Sequence, residues 1–297
     1  MISEGADHFT TGLGSQNPDT SPTGTSDLYR QRKFTDGYPN LAQLSVEWFW
    51  KHQRDSSVEI ESVLRCIGRM IDLEHGLKTV CDVGCGPRPA GLKWLKEHGF
   101  APVGIEPVSA QVKSGCAMLE DPNGVLQGTA ERIPLPDESQ RIVLFESLLE
   151  HVGSPRHALQ EAYRVLVPGG VLFVYTTNRY RISPKGDNWE FEVPFYNFFP
   201  DVVKESYVFD HLHYHPRLAN YSPFPAVHWF CFSDLCKLGR DVGFAQFYSP
   251  LDLAETTDSF LATKTRRLFI NIVKRSVWLR SLALLQFGNS IFMWKRT

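Results

Sequence analysis

The sequence predicts an α/β fold built on a largely parallel sheet with helices on both faces. Three observations predict it. Between residues 75 and 178, short apolar runs alternate with segments of helical period, the pattern of parallel strands joined by crossover helices. The first apolar run enters a glycine turn, "VCDVGCGPRPAG" at 80–91, and the next ends on an acid, Glu106. The 297 residues, 42% of them hydrophobic, suffice for one large domain with insertions.

Residues 1–28 are rich in Gly, Ser, Thr and Asp and offer little apolar surface to offset the entropy of ordering, so a mobile tail is expected. Residues 29–297 then form the folded domain. Two helical patterns follow, "AQLSVEWFWKHQRD" and "SVEIESVLRCIGRMIDLEHG", the second with Ser56 and Glu59 spaced as a capping box. "TVCDVG" reads as a strand, "AGLKWLKEHG" as a helix closed by Gly99, "PVGIEP" as a strand and "SAQVKSGCAML" as a helix. "RIVLFES" and "GVLFVYTTN" add strands on either side of the helical "SPRHALQEAYRVLVPGG". Residues 179–228, aromatic, prolyl and histidine-rich, break this rhythm and read as an insertion over the active-site end of the sheet. "WFCFSDLCKLGRDVGFAQFYSPLDL" returns to helix and strand, and "NSIFMWKRT" predicts a final edge or hairpin strand.

A net charge of −2 gives no overall basic field for nucleic acid. The six cysteines are scattered rather than set out as a disulfide framework, and no signal-peptide pattern or membrane-length apolar run stands out. A reduced, cytoplasmic protein is the expectation.

In an open parallel sheet, ligands sit at the carboxyl ends of the strands. Gly84 and Gly86 allow a tight turn and close approach to a ligand, and Asp82 stands just before them. Glu106 follows Gly86 by twenty residues, the spacing at which an acid can accept hydrogen bonds from both hydroxyls of a ribose. A dinucleotide loop would carry a third glycine where this chain has Pro89, and proline does not supply the close helix–strand packing that glycine gives around a pyrophosphate. The expectation moves from NAD to an adenosyl ligand without a pyrophosphate.

Five segments occur in order over residues 78–178: "VCDVGCG", "GIEP", "GTAERIPLPDES", "LFESLLEHV" and "EAYRVLVPGGVLFV". In these the chain resembles class I S-adenosylmethionine-dependent methyltransferases, in particular the small-molecule subgroup that includes ubiquinone-biosynthesis O-methyltransferases. The resemblance implies a Rossmann-like seven-stranded mixed sheet with an N-terminal helical cover and an inserted substrate lid. It implies S-adenosyl-L-methionine as cofactor and S-adenosyl-L-homocysteine as product. By the same resemblance Asp82, Gly84 and Gly86 surround the amino-acid part of the cofactor, Glu106 binds its ribose, and Ala130 and Glu131 stand in the adenine-side loop. Glu146 and Ser147 would lie beside the sulfonium.

An acceptor hydroxyl needs a destination for its proton. His151 in "LLEHV" is a candidate base, because neutral imidazole accepts protons near pH 7; it can equally brace the loop with Glu150. Related enzymes can carry an E-x-x-E-H group near a metal, and here Ser147 replaces the first acid, so no metal site is expected there. His228 is a second base candidate. Asn178, in a segment similar to the family's T-P-N-R, could orient a polar acceptor or simply form a turn. His211, His213 and His215 would share one face of an extended segment, as a metal site, a proton-transfer or substrate-contacting surface, or as loop packing; their spacing is not that of a structural zinc site. Trp189, Phe191, Phe195, Tyr196, Phe198 and Phe199 are candidates for an aromatic lid or a miniature core.

Residues 264–286 combine six cations with many large apolar residues. Such a helix can lie in an anionic membrane interface or dock on the sheet with its cations in water. The function expected is methyl transfer, with oxygen of a small-molecule, natural-product or glycan acceptor first, and a lipid-linked acceptor open. The rivals are an NAD-dependent oxidoreductase and a non-catalytic S-adenosylmethionine-binding scaffold.

Overall fold

The computed structural model describes residues 57–184, 193–208, 226–255 and 264–297. Helix α1 (Ser57–Gly68) precedes a regular alternation of β1 (Thr79–Val83), α2 (Ala90–Glu97), β2 (Ala101–Glu106), α3 (Ser109–Leu119) and β3 (Val125–Gln127). β4 (Gln140–Glu146), α4 (Pro155–Val165) and β5 (Leu166–Tyr175) complete the parallel part. After the insertion, which contains α5 (Asp201–Tyr207), come α6 (Phe232–Val242), β6 (Gln246–Tyr248) and α7 (Pro250–Leu253). Helices α8 (Lys264–Arg275) and α9 (Val277–Phe287) lead into β7 (Ser290–Trp294). The seven strands form one sheet in the order β3-β2-β1-β4-β5-β7-β6, so the expected seven-stranded mixed sheet is observed.

The strands read as continuous apolar runs because both faces are covered. Side chains of alternating direction enter two cores. Cys81, Val83, Val143, Phe145, Leu172 and Val174 pack with α4 and α6 on one side. Val80, Ile142, Leu144, Val171 and Phe173 meet α1 and α2 on the other. Helix α4 starts where the sequence predicts: the Ser154 hydroxyl accepts from His157 N at 3.3 Å, and Pro155 takes the first turn, where its missing amide costs nothing.

Four features differ from the sequence reading. The segment 290–294 is not an edge. β7 lies between β5 and β6 and pairs antiparallel with both, Phe292 opposite Phe173 and Tyr248; its run of buried residues is that of an interior strand. β3 escaped notice because three residues carry no readable period. The basic segment is two helices rather than one, broken at Ser276, whose hydroxyl accepts from Leu279 N at 3.3 Å and caps α9. Helix α1 stops at Gly68, well before the end of its apolar pattern. Residues 1–56, including the tail, the first predicted helix and Ser56 of the capping box, lie outside the described residues.

The loop after β3 is pinned to α4 by one side chain. Arg164 donates to the carbonyls of Leu135 and Ile133, each at 2.9 Å, and pairs with Asp137 and Glu161. Glu161 in turn accepts from Ile133 N at 2.9 Å. Arg164→Ala would leave two backbone carbonyls and Glu161 without this donor, an expected loss of about 2 kcal/mol at the level of charge-assisted hydrogen bonds. Denaturant unfolding of the variant checks this, and an unchanged midpoint would refute it.

Candidate active site

Register places the carboxyl ends of β1, β2, β4 and β5 side by side: Val83 opposes Ile105 and Phe145, and Glu146 opposes Tyr175. The glycine turn leaves β1 here. Gly84 and Gly86 have φ of +77° and +67°, which side chains resist. Gly84 N donates to Ile105 O at 2.7 Å, and Gly86 N donates to Glu106 Oε2 at 3.2 Å. Glu106 Oε1 accepts from Val108 N at 3.0 Å. The acid thus ties the glycine turn to the loop after β2. A Cβ at Gly86 would meet nothing within 4 Å, so open space lies over the turn beside the acid.

The close packing that Pro89 withholds is supplied elsewhere. A Cβ on Gly104 would lie 2.5 Å from Cys85 Sγ and 2.9 Å from Leu92 Cδ1. A Cβ on Gly115 would lie 2.9 Å from Val125 Cγ2 and 3.5 Å from Pro89 Cδ. The missing glycine of the turn is replaced by two glycines on the neighbouring strand and helix.

Three carboxylates converge at this end of the sheet. Burial, then the charges of Glu146 and Glu106, push the pKa of Asp82 well above the usual carboxylate range. Burial raises Glu106 to about 7 despite the opposing effect of its two backbone donors. Such a cluster favours a cationic ligand, whose charge would offset the repulsion.

Ala130 is buried, and the neighbouring Glu131 bridges two loops. Its Oε1 accepts from Gly153 N at 2.7 Å and Ser154 N at 3.2 Å, joining the loop after β3 to the start of α4. Beyond Glu146 the chain turns through Ser147 with φ of 49°, a conformation unusual for a side chain and one that often marks a functional turn.

Next to Ser147 lies a cleft lined by Glu150, Tyr175, Thr176, Asn178 and Trp229, with Asn289 from the far end of the chain. Glu150 is only 6% exposed, and its Oε2 accepts from Thr176 Oγ1 at 2.6 Å. Burial raises its pKa to about 7, against the lowering effect of Thr176. Trp229 and Tyr196 form the cleft wall and belong to a small core with Val208 and Ala226. Lys204 stands 4.2 Å over the Trp229 ring and pairs with Asp201, which also receives Arg179.

The other candidate residues are placed as follows. His151 ends a 3-10 turn, half-buried, and is not among the residues lining the cleft. His228 is 3% exposed, and its Nε2 donates to Val152 O at 2.8 Å, which commits that nitrogen to bracing the loop. Asn178 reaches the cleft, but its Nδ2 donates to Leu285 O at 3.0 Å and its Oδ1 accepts from Tyr180 N at 3.3 Å. It acts as a turn-forming asparagine. Of the aromatic lid, Phe195, Phe198 and Phe199 are exposed while Tyr196 is buried; Trp189, Phe191 and the histidines at 211, 213 and 215 lie outside the described residues. Among the described residues no cluster of three metal-ligating side chains occurs.

Sequence reading underweighted Glu150, which looks like a loop brace until Thr176 and the cleft are brought beside it. Asn289 gave no local signal at all, because only the antiparallel return of β7 carries it to the site.

Residues 81–174 match the family described as "Methyltransferase domain". This stretch, about a third of the chain, is similar to methyltransferase domains. It runs from the middle of β1 to the penultimate residue of β5 and so contains every cofactor-side candidate above. The chain is 30% identical over 152 residues to a "Probable S-adenosylmethionine-dependent methyltransferase" of Mycolicibacterium smegmatis, covering 50% of this chain and 52% of that protein. It is 33% identical over 122 residues to a "Ubiquinone biosynthesis O-methyltransferase" of Pseudomonas paraeruginosa, covering 37% and 49%. The chain spans about half the length of the curated relatives it matches. The plantazolicin methyltransferase BamL, solved in complex with a triazolic desmethylPZN analog and SAH, shares the fold at a TM-score of 0.53 and 13% identity, covering 88% of this chain and 92% of that one. The matched stretch supplies the glycine turn, β2 to β4 and most of β1 and β5, while β6, β7 and the cleft residues Trp229 and Asn289 come from outside it.

Proposed function

We propose that the protein is an S-adenosylmethionine-dependent methyltransferase acting on an oxygen nucleophile of a small-molecule acceptor. The observation that carries this reading is Glu106, held by Gly86 N and Val108 N beside the open space over the glycine turn. A carboxylate there can receive two ribose hydroxyls. Asp82 and Glu146 bring carboxyl groups to where the cationic amino-acid and sulfonium portion would lie, and a cation there would favour the ionised form of Asp82 that burial and its acidic neighbours oppose. These residues fit the cofactor, which supplies an electrophilic methyl group carried on a sulfonium.

The remaining work is done by the chain's own side chains. Tyr175, Thr176 and Trp229 shape the cleft and limit water around an acceptor, and placement of this kind contributes up to about 7–11 kcal/mol in general. Glu150, with a pKa of about 7, takes the acceptor's proton on its carboxylate, while Thr176 holds Oε2 in position. The O-methyltransferases among the relatives support oxygen as the acceptor atom.

Titration calorimetry with S-adenosylmethionine, S-adenosylhomocysteine and NAD tests the reading. Binding of the first two without NAD is expected; the reverse would overturn it and favour an oxidoreductase. A mass-spectrometric screen of phenols, sugars and amines for a gain of one methyl group then identifies the acceptor class. Cofactor binding with no methylated product from any acceptor, or product confined to the amines, would remove the oxygen assignment.

A further inference from the structure

The C-terminal helices expose an apolar surface that the site does not use. On α9, Trp278 is 83% exposed, Val277 79% and Leu282 61%. Trp278, Leu282 and Leu285 follow one another at four- and three-residue spacing, so they form a single stripe. On α8, Leu268 and Ile272 repeat this one turn apart, with exposures of 62% and 48%. Exposed apolar patches of this kind mark interaction sites.

Charge identifies the partner. Residues 264–287 contain six lysines and arginines and no aspartate or glutamate, in a chain whose net charge is −2. Two of the cations hold the helices to the body: Lys274 donates to the carbonyls of Asp252 and Ala254, and Arg280 makes two bonds to Asp252 at 2.7 and 2.8 Å. Arg275 is exposed, and Lys264, Arg266 and Arg267 occupy the first turn of α8. Among the described residues no helix is long and apolar enough to cross a membrane.

We infer that helices α8 and α9 dock on an anionic lipid bilayer, with Trp278 and Leu282 inserted among the headgroups and the cations meeting lipid phosphates. Apolar burial and attraction to anionic lipid act together on such a surface, and neither suffices alone. The surface also reaches the cleft. Asn178 of the cleft bonds to Leu285 O, and the Gln286 side chain pairs with both backbone groups of Ile182. Ile182 and Tyr180 are themselves exposed, at 58% and 44%. Docking therefore sets the cleft mouth beside the interface. Resting on the methyltransferase reading, this makes the acceptor an amphiphile presented from the membrane.

Co-sedimentation of the full chain with vesicles of phosphatidylcholine and phosphatidylglycerol, at a ratio of about 7:3, tests the docking. Partitioning is expected to fall on phosphatidylcholine alone and at high salt. Trp278→Glu combined with Leu282→Glu, both on the exposed face and so compatible with folding, should lower partitioning more than about tenfold. Arg275→Glu should weaken it further only on the anionic vesicles. S-adenosylmethionine affinity in the double variant should be unchanged, so loss of docking and loss of the cofactor reading are read separately. No binding to anionic vesicles, or equal binding by the double variant, overturns the inference. So does a concentration-dependent dimer that the double variant dissociates, since the face would then belong to a second copy of the chain.

Discussion

Replacing Glu106 with alanine is expected to weaken S-adenosylmethionine binding roughly 30- to 150-fold, the equivalent of about 2–3 kcal/mol for a pair of hydrogen bonds to a charged group. The carboxylate sits at the end of β2 with its two oxygens on Gly86 N and Val108 N. Removing it takes away the ribose acceptor and frees the turn that shapes the site. The wild-type affinity should also depend on pH. Burial holds Glu106 at a pKa of about 7; two hydroxyl donors require the ionised form, so binding should weaken as pH falls below that value. Glu106→Gln should flatten this dependence and keep the fold. Calorimetry across pH reads both effects, and an alanine variant that is folded with unchanged affinity would remove Glu106 from the ribose.

Glu150→Gln is expected to lower turnover about 100-fold or more, within the range for loss of a positioned base, with little change in cofactor affinity. The wild-type rate should rise with pH and level off above about 7, following ionisation of Glu150, and the variant should lose that rise. Stability moves the other way. A carboxyl whose folded pKa exceeds its unfolded value near 4.5 binds its proton more tightly when folded. Its contribution is complete below pH 4.5 and declines by up to about 3 kcal/mol as pH approaches 7. Glutamine resembles the protonated acid, so the variant should be the more stable protein at pH 8 by denaturant unfolding. A merely structural Glu150 would reproduce the stability change without the turnover loss. His151→Gln provides the contrast: because His151 is outside the cleft lining, turnover should stay within a few fold. Loss in the His151 variant together with normal turnover in Glu150→Gln would return the proton-accepting role to the histidine.

Much of this protein was determined by local sequence. The strand–turn–helix order of residues 79–97, the positive-φ glycines and the acid at the end of β2 follow from short-range rules, because hydrophobic period and backbone freedom act over a few residues. So does the start of α4 at Ser154 and Pro155. The tertiary structure alone decided three things. It placed 290–294 inside the sheet, since strand order depends on which apolar edges meet. It placed His151 and His228 outside the cleft lining, committing one nitrogen of His228 to Val152 O, because a side chain's chemistry depends on what already holds it. It brought Glu150, Thr176 and Asn289 to one cleft from positions as much as 139 residues apart, and it raised the pKa of Glu150 by enclosing it. Burial and distant contact are properties of the folded chain, and a linear pattern holds no measure of either.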